Sequence, residues 1–275
     1  VVVAPEHVET DTGDPKTTNF WDPTIDRLHD IKQVLDYAEK TTATGGDMAG
    51  LVDTKHVAVA GHSYGGYTAL AMAGAQIDMD AYNAHCQSIN GDDTAFNIFD
   101  CGMLMNHEAD MAARAGLDPM PKGLWPSFGD ERVTAIIPMA TDASLFTQAG
   151  LAKITIPMMA LGGTADTMAP FEWFAKPAYV SASSAQKALV AFENADHPIF
   201  LTPCKNLPWM TKLPASAYTF FCFENVWDKE RALDLIDHFT TAFLLDVLKG
   251  DKDAHKALLT DAVKFPGVQY QTTMK

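Results

Sequence analysis

Gly61-His62-Ser63-Tyr64-Gly65-Gly66 follows the apolar run His56-Val57-Ala58-Val59-Ala60 and leads into a helix-forming stretch from Tyr64 to about Ala75. A serine on a sharp turn between a buried strand and a helix is pushed into the open, so its hydroxyl can reach a substrate. Gly61 and Gly65, lacking side chains, let strand and helix approach at that turn. The helix N-terminus beyond it carries a partial positive charge, and the backbone N–H of Tyr64 is the nominated donor to an oxyanion. The bland reading is a glycine-rich strand-to-helix turn in which Ser63 stands by chance.

Outward from the turn, strand-sized apolar runs alternate with helical stretches. Val133-Thr134-Ala135-Ile136-Ile137-Pro138, the run from Ile154 to Leu161, and Lys187-Ala188-Leu189-Val190-Ala191-Phe192 read as strands covered on both faces. The Val-Val-Val-Ala run at 1–4 reads as another, with Glu6-His7 at its tip and a polar loop after it. Ile25, Leu28, Ile31, Val34, Leu35 and Ala38 have helical spacing, with Asp22 as N-cap and Pro23 in the first turn. Leu233, Ile236, Phe239, Phe243 and Val247 share one face of a second long helix over 226–249. Residues from about 77 to 129 have no clean period and read as an irregular insertion with short helices. Strands alternating with helices give an α/β class with a mostly parallel sheet flanked by helices, in a single domain over 1–275.

A formal charge of −15, uninterrupted by any basic cluster, repels phosphate backbones and argues against nucleic acid as a partner. The apolar runs are far shorter than a bilayer span, so no membrane span is expected. Hydrophobic residues at 47 % and charged residues at 20 % suit a globular core. Neither an initiator Met nor a signal peptide opens the chain. The four cysteines form two local pairs, Cys86 with Cys101 and Cys204 with Cys222, a spacing that suits two disulfides better than a metal site. Each bridge would contribute ~3 kcal/mol in the loop-entropy picture. Disulfides imply an oxidising compartment, secreted or periplasmic; the alternative is four buried free thiols.

A serine hydroxyl needs a base, and that base needs an orienting carboxylate. Asp166 leaves the strand ending at Leu161 through Gly162-Gly163-Thr164-Ala165, and His197 leaves the strand ending near Phe192 through Glu193-Asn194-Ala195-Asp196. The competing use of Asp166 is as N-cap of a helix beginning near Met168. For His197 it is a surface histidine bonded to Asp196. Asp142 and Asp196 compete for the acid's role, but Asp196, adjacent in sequence to His197, is poorly placed to face its ring. His7, His62, His85, His107 and His238 read as structural.

Gly61-His62-Ser63-Tyr64-Gly65-Gly66, Leu161-Gly162-Gly163-Thr164-Ala165-Asp166 and Asn194-Ala195-Asp196-His197-Pro198 together resemble the α/β-hydrolase superfamily. The nearest branch on these motifs is that of platelet-activating-factor acetylhydrolases, cutinase-like enzymes and dienelactone hydrolase-like proteins. The resemblance runs from Val1 to Phe200, and more loosely to Tyr270. It implies the α/β-hydrolase fold, Ser63-Asp166-His197 catalysis through an acyl-enzyme, and neither metal nor cofactor. Dienelactone hydrolases proper use a cysteine nucleophile, so Ser63 points to carboxylic esters.

Met103, Leu104, Met105, Trp125, Phe128, Phe171, Trp173 and Phe174 suggest a small-molecule or lipid-like ester with an apolar acyl or aryl group. The departure is at the beginning. The first strands of the fold, one of which carries the second oxyanion donor, are missing and expected upstream of Val1. The rival reading is a catalytically silent hydrolase-fold binding or scaffold protein, or a truncated inactive fragment. Oligomeric state is not indicated.

Overall fold

A computed structural model of the protein describes residues 1–7, 20–88 and 101–275. The polar loop expected after His7 and the middle of the irregular insertion lie outside the described residues. The strands are β1 (Val57–His62), β2 (Val133–Met139), β3 (Met158–Gly163), β4 (Lys187–Phe192) and β5 (Val268–Thr272). The helices used below are α1 (Trp21–Thr42), α2 (Tyr64–Met72), α3 (Met79–Ser88), α4 (Glu108–Arg114), α5 (Ala175–Ser181), α6 (Ala215–Cys222), α7 (Lys229–Lys249) and α8 (Lys252–Ala257). The chain divides into two compact units: Val1–Val57 with Leu70–Thr134 and Ser144–Ile154, and Ala58–Ala69 with Ala135–Ala143 and Thr155–Lys275.

The strands lie in the order β1-β2-β3-β4-β5. β2 with β3 and β3 with β4 run parallel, in registers that set Ile136 beside Met158 and Leu161 beside Val190. β5 closes the order antiparallel to β4. The expected run from Ile154 to Leu161 starts late, at Met158, because Pro157 has no N–H for the ladder; its carbonyl instead accepts from the Ile136 N–H at 3.0 Å. β5 was not expected, although its inner and outer residues alternate (Val268, Tyr270 and Thr272 against Gln269 and Gln271) as a half-covered edge strand requires.

Residues 1–7 correct another expectation. They form no strand, and Val1, Val2 and Val3 are exposed. A β-branched run becomes a strand only where a sheet offers backbone partners, and none of the described pairings includes it.

The core of the second unit forms where α7 lays Ile236, Phe239 and Phe243 among Met159, Leu161, Val190 and Phe192. Asp228 starts α7 by accepting from the Arg231 N–H, and Gly250 ends it at φ +66°, a conformation that disfavours side chains. Trp227 anchors the approach to the helix, its indole N–H bonded to the Glu193 carbonyl at 2.8 Å.

In the first unit α1 buries Ile25, Leu28 and Leu35 as its spacing predicted. The helix opens at Trp21, however, with Phe20 in the cap position, so Asp22 serves in the first turn rather than as the cap. Short helices α3 and α4 occupy the irregular insertion, and Arg114 of α4 clamps both carboxylate oxygens of Asp26 on α1 at 2.7 and 2.6 Å.

The structure pairs Cys86 with Cys101 and Cys204 with Cys222, with Cα separations of 5.6 and 5.4 Å. Alkylation of the denatured protein without reductant should therefore add no mass, and four adducts should appear only after reduction. Adducts without reductant would show the thiols to be free.

Candidate active site

The site is built where β1 turns into α2. Ser63 sits at the turn with φ +56°, in the left-handed region that costs a non-glycine residue about 1–2 kcal/mol. The neighbouring strand end holds it there. The Ser63 N–H donates to the Met139 carbonyl at 2.9 Å, and the Ser63 carbonyl accepts from the N–H groups of Gly66 at 2.8 Å and Asp142 at 3.3 Å. Ala140 and Asn194, just past the ends of β2 and β4, also have positive φ, at +40° and +55°. Strained backbone thus collects at the strand ends around the site.

The glycines share the work differently from the sequence reading. A Cβ on Gly61 would lie 2.3 Å from the Gly65 carbonyl oxygen, so strand and helix do meet there without room for a side chain. A Cβ on Gly65 itself would meet nothing within 4 Å. The second tight contact belongs to Gly66, whose Cβ would fall 2.7 Å from the Thr141 Cβ.

Asp166 and His197 meet in the buried interior of the second unit. The Nδ1 of His197 lies 2.8 Å from Oδ2 of Asp166, and both side chains are almost wholly covered. That contact fixes the tautomer, with Nδ1–H donating to the carboxylate and Nε2 left as the basic nitrogen. The other oxygen of Asp166 accepts from the backbone N–H groups of Met168 at 2.9 Å and Ala169 at 2.7 Å. The capping role weighed against the histidine-facing one is therefore real as well. It caps a turn, because the helix expected near Met168 does not form before Ala175. Gly163 makes the approach possible: a Cβ there would lie 2.4 Å from the Ala195 carbonyl oxygen, on the loop that carries His197.

Asp196 faces away from the imidazole nitrogen that Asp166 holds. Its Oδ1 accepts from the N–H groups of His197 at 2.8 Å and Thr167 at 3.0 Å, fastening the histidine's loop to the aspartate's. Asp142 contributes its backbone N–H to the Ser63 turn. Tyr64 opens α2, which puts its backbone N–H at the helix N-terminus, and both Ser63 and Tyr64 are half-buried. Leu104, Trp125, Phe128, Phe171 and Phe174, expected as apolar lining, are buried in packing, while Trp173 is exposed and Met103 and Met105 are half-buried. Among the described residues no group of His, Cys, Asp and Glu is placed to hold a metal.

His62 has a role at the site that its sequence position did not reveal. Its Nε2–H donates to the carbonyl of His197 at 3.2 Å, and its ring lies 4.5 Å from that of His197 and 5.7 Å from that of Phe200. Burial, reinforced by the neighbouring His197, pushes its pKa down from 6.5 to about 4. The only clue in the sequence was adjacency to Ser63.

A profile of the Alpha/beta hydrolase family matches residues 9–207, more than two thirds of the chain and the whole span from Ser63 to His197. The chain belongs to that family. No curated protein matches it significantly.

Two measurements test this packing. Gly66→Ala should lower unfolding stability by about 1–3 kcal/mol in urea titrations, through overpacking against Thr141. Gly65→Ala should be neutral or stabilise by up to about 1 kcal/mol through helix propensity. Equal losses would mean that the turn is not packed in this way. The depressed His62 sets the second. Between the unfolded value of 6.5 and the folded value of about 4, the unfolded chain binds a proton that the native chain refuses. Stability present above pH 6.5 should fall by about 3 kcal/mol as pH drops to 4. His62→Gln should flatten that part of the wild-type stability profile, and an unchanged slope would refute the assignment.

Proposed function

We propose that this member of the Alpha/beta hydrolase family is a carboxylic ester hydrolase with Ser63 as nucleophile, His197 as base and Asp166 as the group that holds His197. The observation that carries the reading is the buried 2.8 Å bond between Asp166 and His197, in a unit where Ser63 is held at φ +56°. In the first step the Ser63 Oγ attacks the ester carbonyl carbon while Nε2 of His197 takes its proton. Negative charge collects on the former carbonyl oxygen, toward which the Tyr64 N–H is directed as donor. Collapse of the tetrahedral intermediate expels the alcohol, which leaves with the proton from His197. Water then repeats the sequence on the acyl-enzyme and frees the acid. His62, uncharged above about pH 4, holds the His197 main chain without adding a positive charge beside the imidazolium that forms.

The serine nucleophile and the three motifs favour a simple ester, of the kind handled by the acetylhydrolase, cutinase-like and dienelactone hydrolase-like branch. An apolar acyl or aryl substrate suits the exposed Trp173, on the stretch that follows Asp166. The two disulfides favour a secreted or periplasmic site of action, since reducing cytosol would open them.

A fluorophosphonate probe should label the native protein, and labelling should vanish in Ser63→Ala. On a p-nitrophenyl ester, Asp166→Asn should lower kcat by roughly three to four orders of magnitude at little change in KM, because the amide favours the wrong tautomer of His197. Asp142→Asn should keep most of its turnover, because the Asp142 N–H that reaches the Ser63 carbonyl belongs to the backbone and survives the change. A folded protein that takes no probe would make this a binding protein rather than an esterase, and an active Asp166→Asn beside an inactive Asp142→Asn would move the acid to Asp142.

A further inference from the structure

One step past the His197 turn the chain enters residues 201–223, in which only Pro203 and Met210 are buried. The segment contains the 3-10 turns Cys204–Asn206 and Pro208–Lys212 and then α6, none of whose residues is buried. Trp209 and Phe223 are more than half exposed, and Phe220 and Phe221 are each 38 % exposed. Four large aromatics on one short segment exceed the scattered apolar exposure normal to a protein surface. The fold does not leave them loose. Cys204–Cys222 closes the segment, the half-buried Lys229 ammonium donates to the Phe221 carbonyl at 3.1 Å, and Lys205 pairs with Glu230. The base is tied to the catalytic loop, since the Asp196 N–H donates to Glu224 at 3.0 Å, immediately beyond Phe223.

The charge of this cap departs from the rest of the molecule. In a chain of net −15, residues 201–223 contain Lys205 and Lys212 and no carboxylate. Trp209 and Tyr218 add an N–H and an O–H donor on otherwise apolar bodies, the combination that settles at a lipid–water boundary. The Lys212 stem can follow the aromatics and set its ammonium group among phosphate oxygens. The family match ends at residue 207, inside the cap.

We propose that residues 201–223 form a rigid docking cap for a zwitterionic, phosphate- and ester-bearing lipid surface, which brings the His197 loop to the phase that holds the substrate. The choice of an ester-bearing surface rests on the esterase reading. Docking itself needs only the cap. The aromatics enter the interface, and the Lys212 ammonium and the Trp209 and Tyr218 donors meet headgroup oxygens, while Lys205 stays with Glu230. The acidity of the whole chain selects against an anionic surface.

Flotation of the full chain carrying Ser63→Ala, which spares the lipid from hydrolysis, tests the proposal with phosphatidylcholine vesicles and, separately, phosphatidylglycerol vesicles. The protein should float with phosphatidylcholine at least as well as with phosphatidylglycerol. Combined Trp209→Ser, Phe220→Ser and Phe221→Ser should reduce the bound fraction at least tenfold. In the otherwise wild-type chain the same three changes should leave the circular-dichroism spectrum and the turnover of a soluble short-chain p-nitrophenyl ester intact. Should the triple variant misfold, Trp209→Ser alone should still weaken flotation severalfold. No flotation of the Ser63→Ala protein, flotation unchanged by the substitutions, or a self-association in sedimentation that the substitutions abolish would each overturn the proposal. Flotation without esterase activity keeps the docking cap and removes the esterase reading, whereas activity without flotation does the reverse.

Discussion

Everything at the candidate site depends on one strained turn. At φ +56° Ser63 occupies backbone space that a side chain resists, and the fold compensates by bonding both sides of its peptide to the end of β2. The N–H goes to Met139 and the carbonyl takes the N–H of Asp142, so the serine cannot relax without breaking the link between neighbouring strand ends. Gly61 and Gly66 are the sequence's contribution to that constraint. One removes the Cβ that would strike Gly65, the other the Cβ that would strike Thr141. A backbone bound so tightly on both sides keeps the hydroxyl-bearing carbon where the turn puts it, which is the preorganisation a nucleophile requires.

Asp166 and His197 are held by a similar economy of parts. Asp166 divides its two oxygens, giving one to the His197 ring and the other to two backbone N–H groups of its own loop. A carboxylate satisfied on both sides stays put, and it holds the imidazole in a single tautomer. Asp196 ties the two loops together from the outside, and His62 grips the His197 carbonyl from the strand that delivers Ser63. The histidine is thus fixed through its ring, its N–H and its carbonyl, by three residues from three different segments. Such a cage leaves the imidazole little freedom to reorient.

Those segments are separated in the chain by as many as 135 positions, as between His62 and His197, and this separation decides what could be read in advance. The sequence by itself determined the strand-turn-helix at Ser63, the parallel runs of β2, β3 and β4, the α7 face that covers them, and the pairing of the cysteines. Each depends on periodicity, on a glycine or on short spacing, all of them local. Only the tertiary structure decided that Gly66 rather than Gly65 bears the second close contact, because the residue it nears, Thr141, is far along the chain. The same is true of β5, whose alternation acquires meaning only beside β4, and of residues 1–4, whose valines form no strand without a partner. His62 shows the limit most plainly. A histidine beside a serine carries no signal of its own, and its part at the site exists because the fold brings the His197 carbonyl within hydrogen-bonding distance of its ring, a long-range contact that no local pattern encodes.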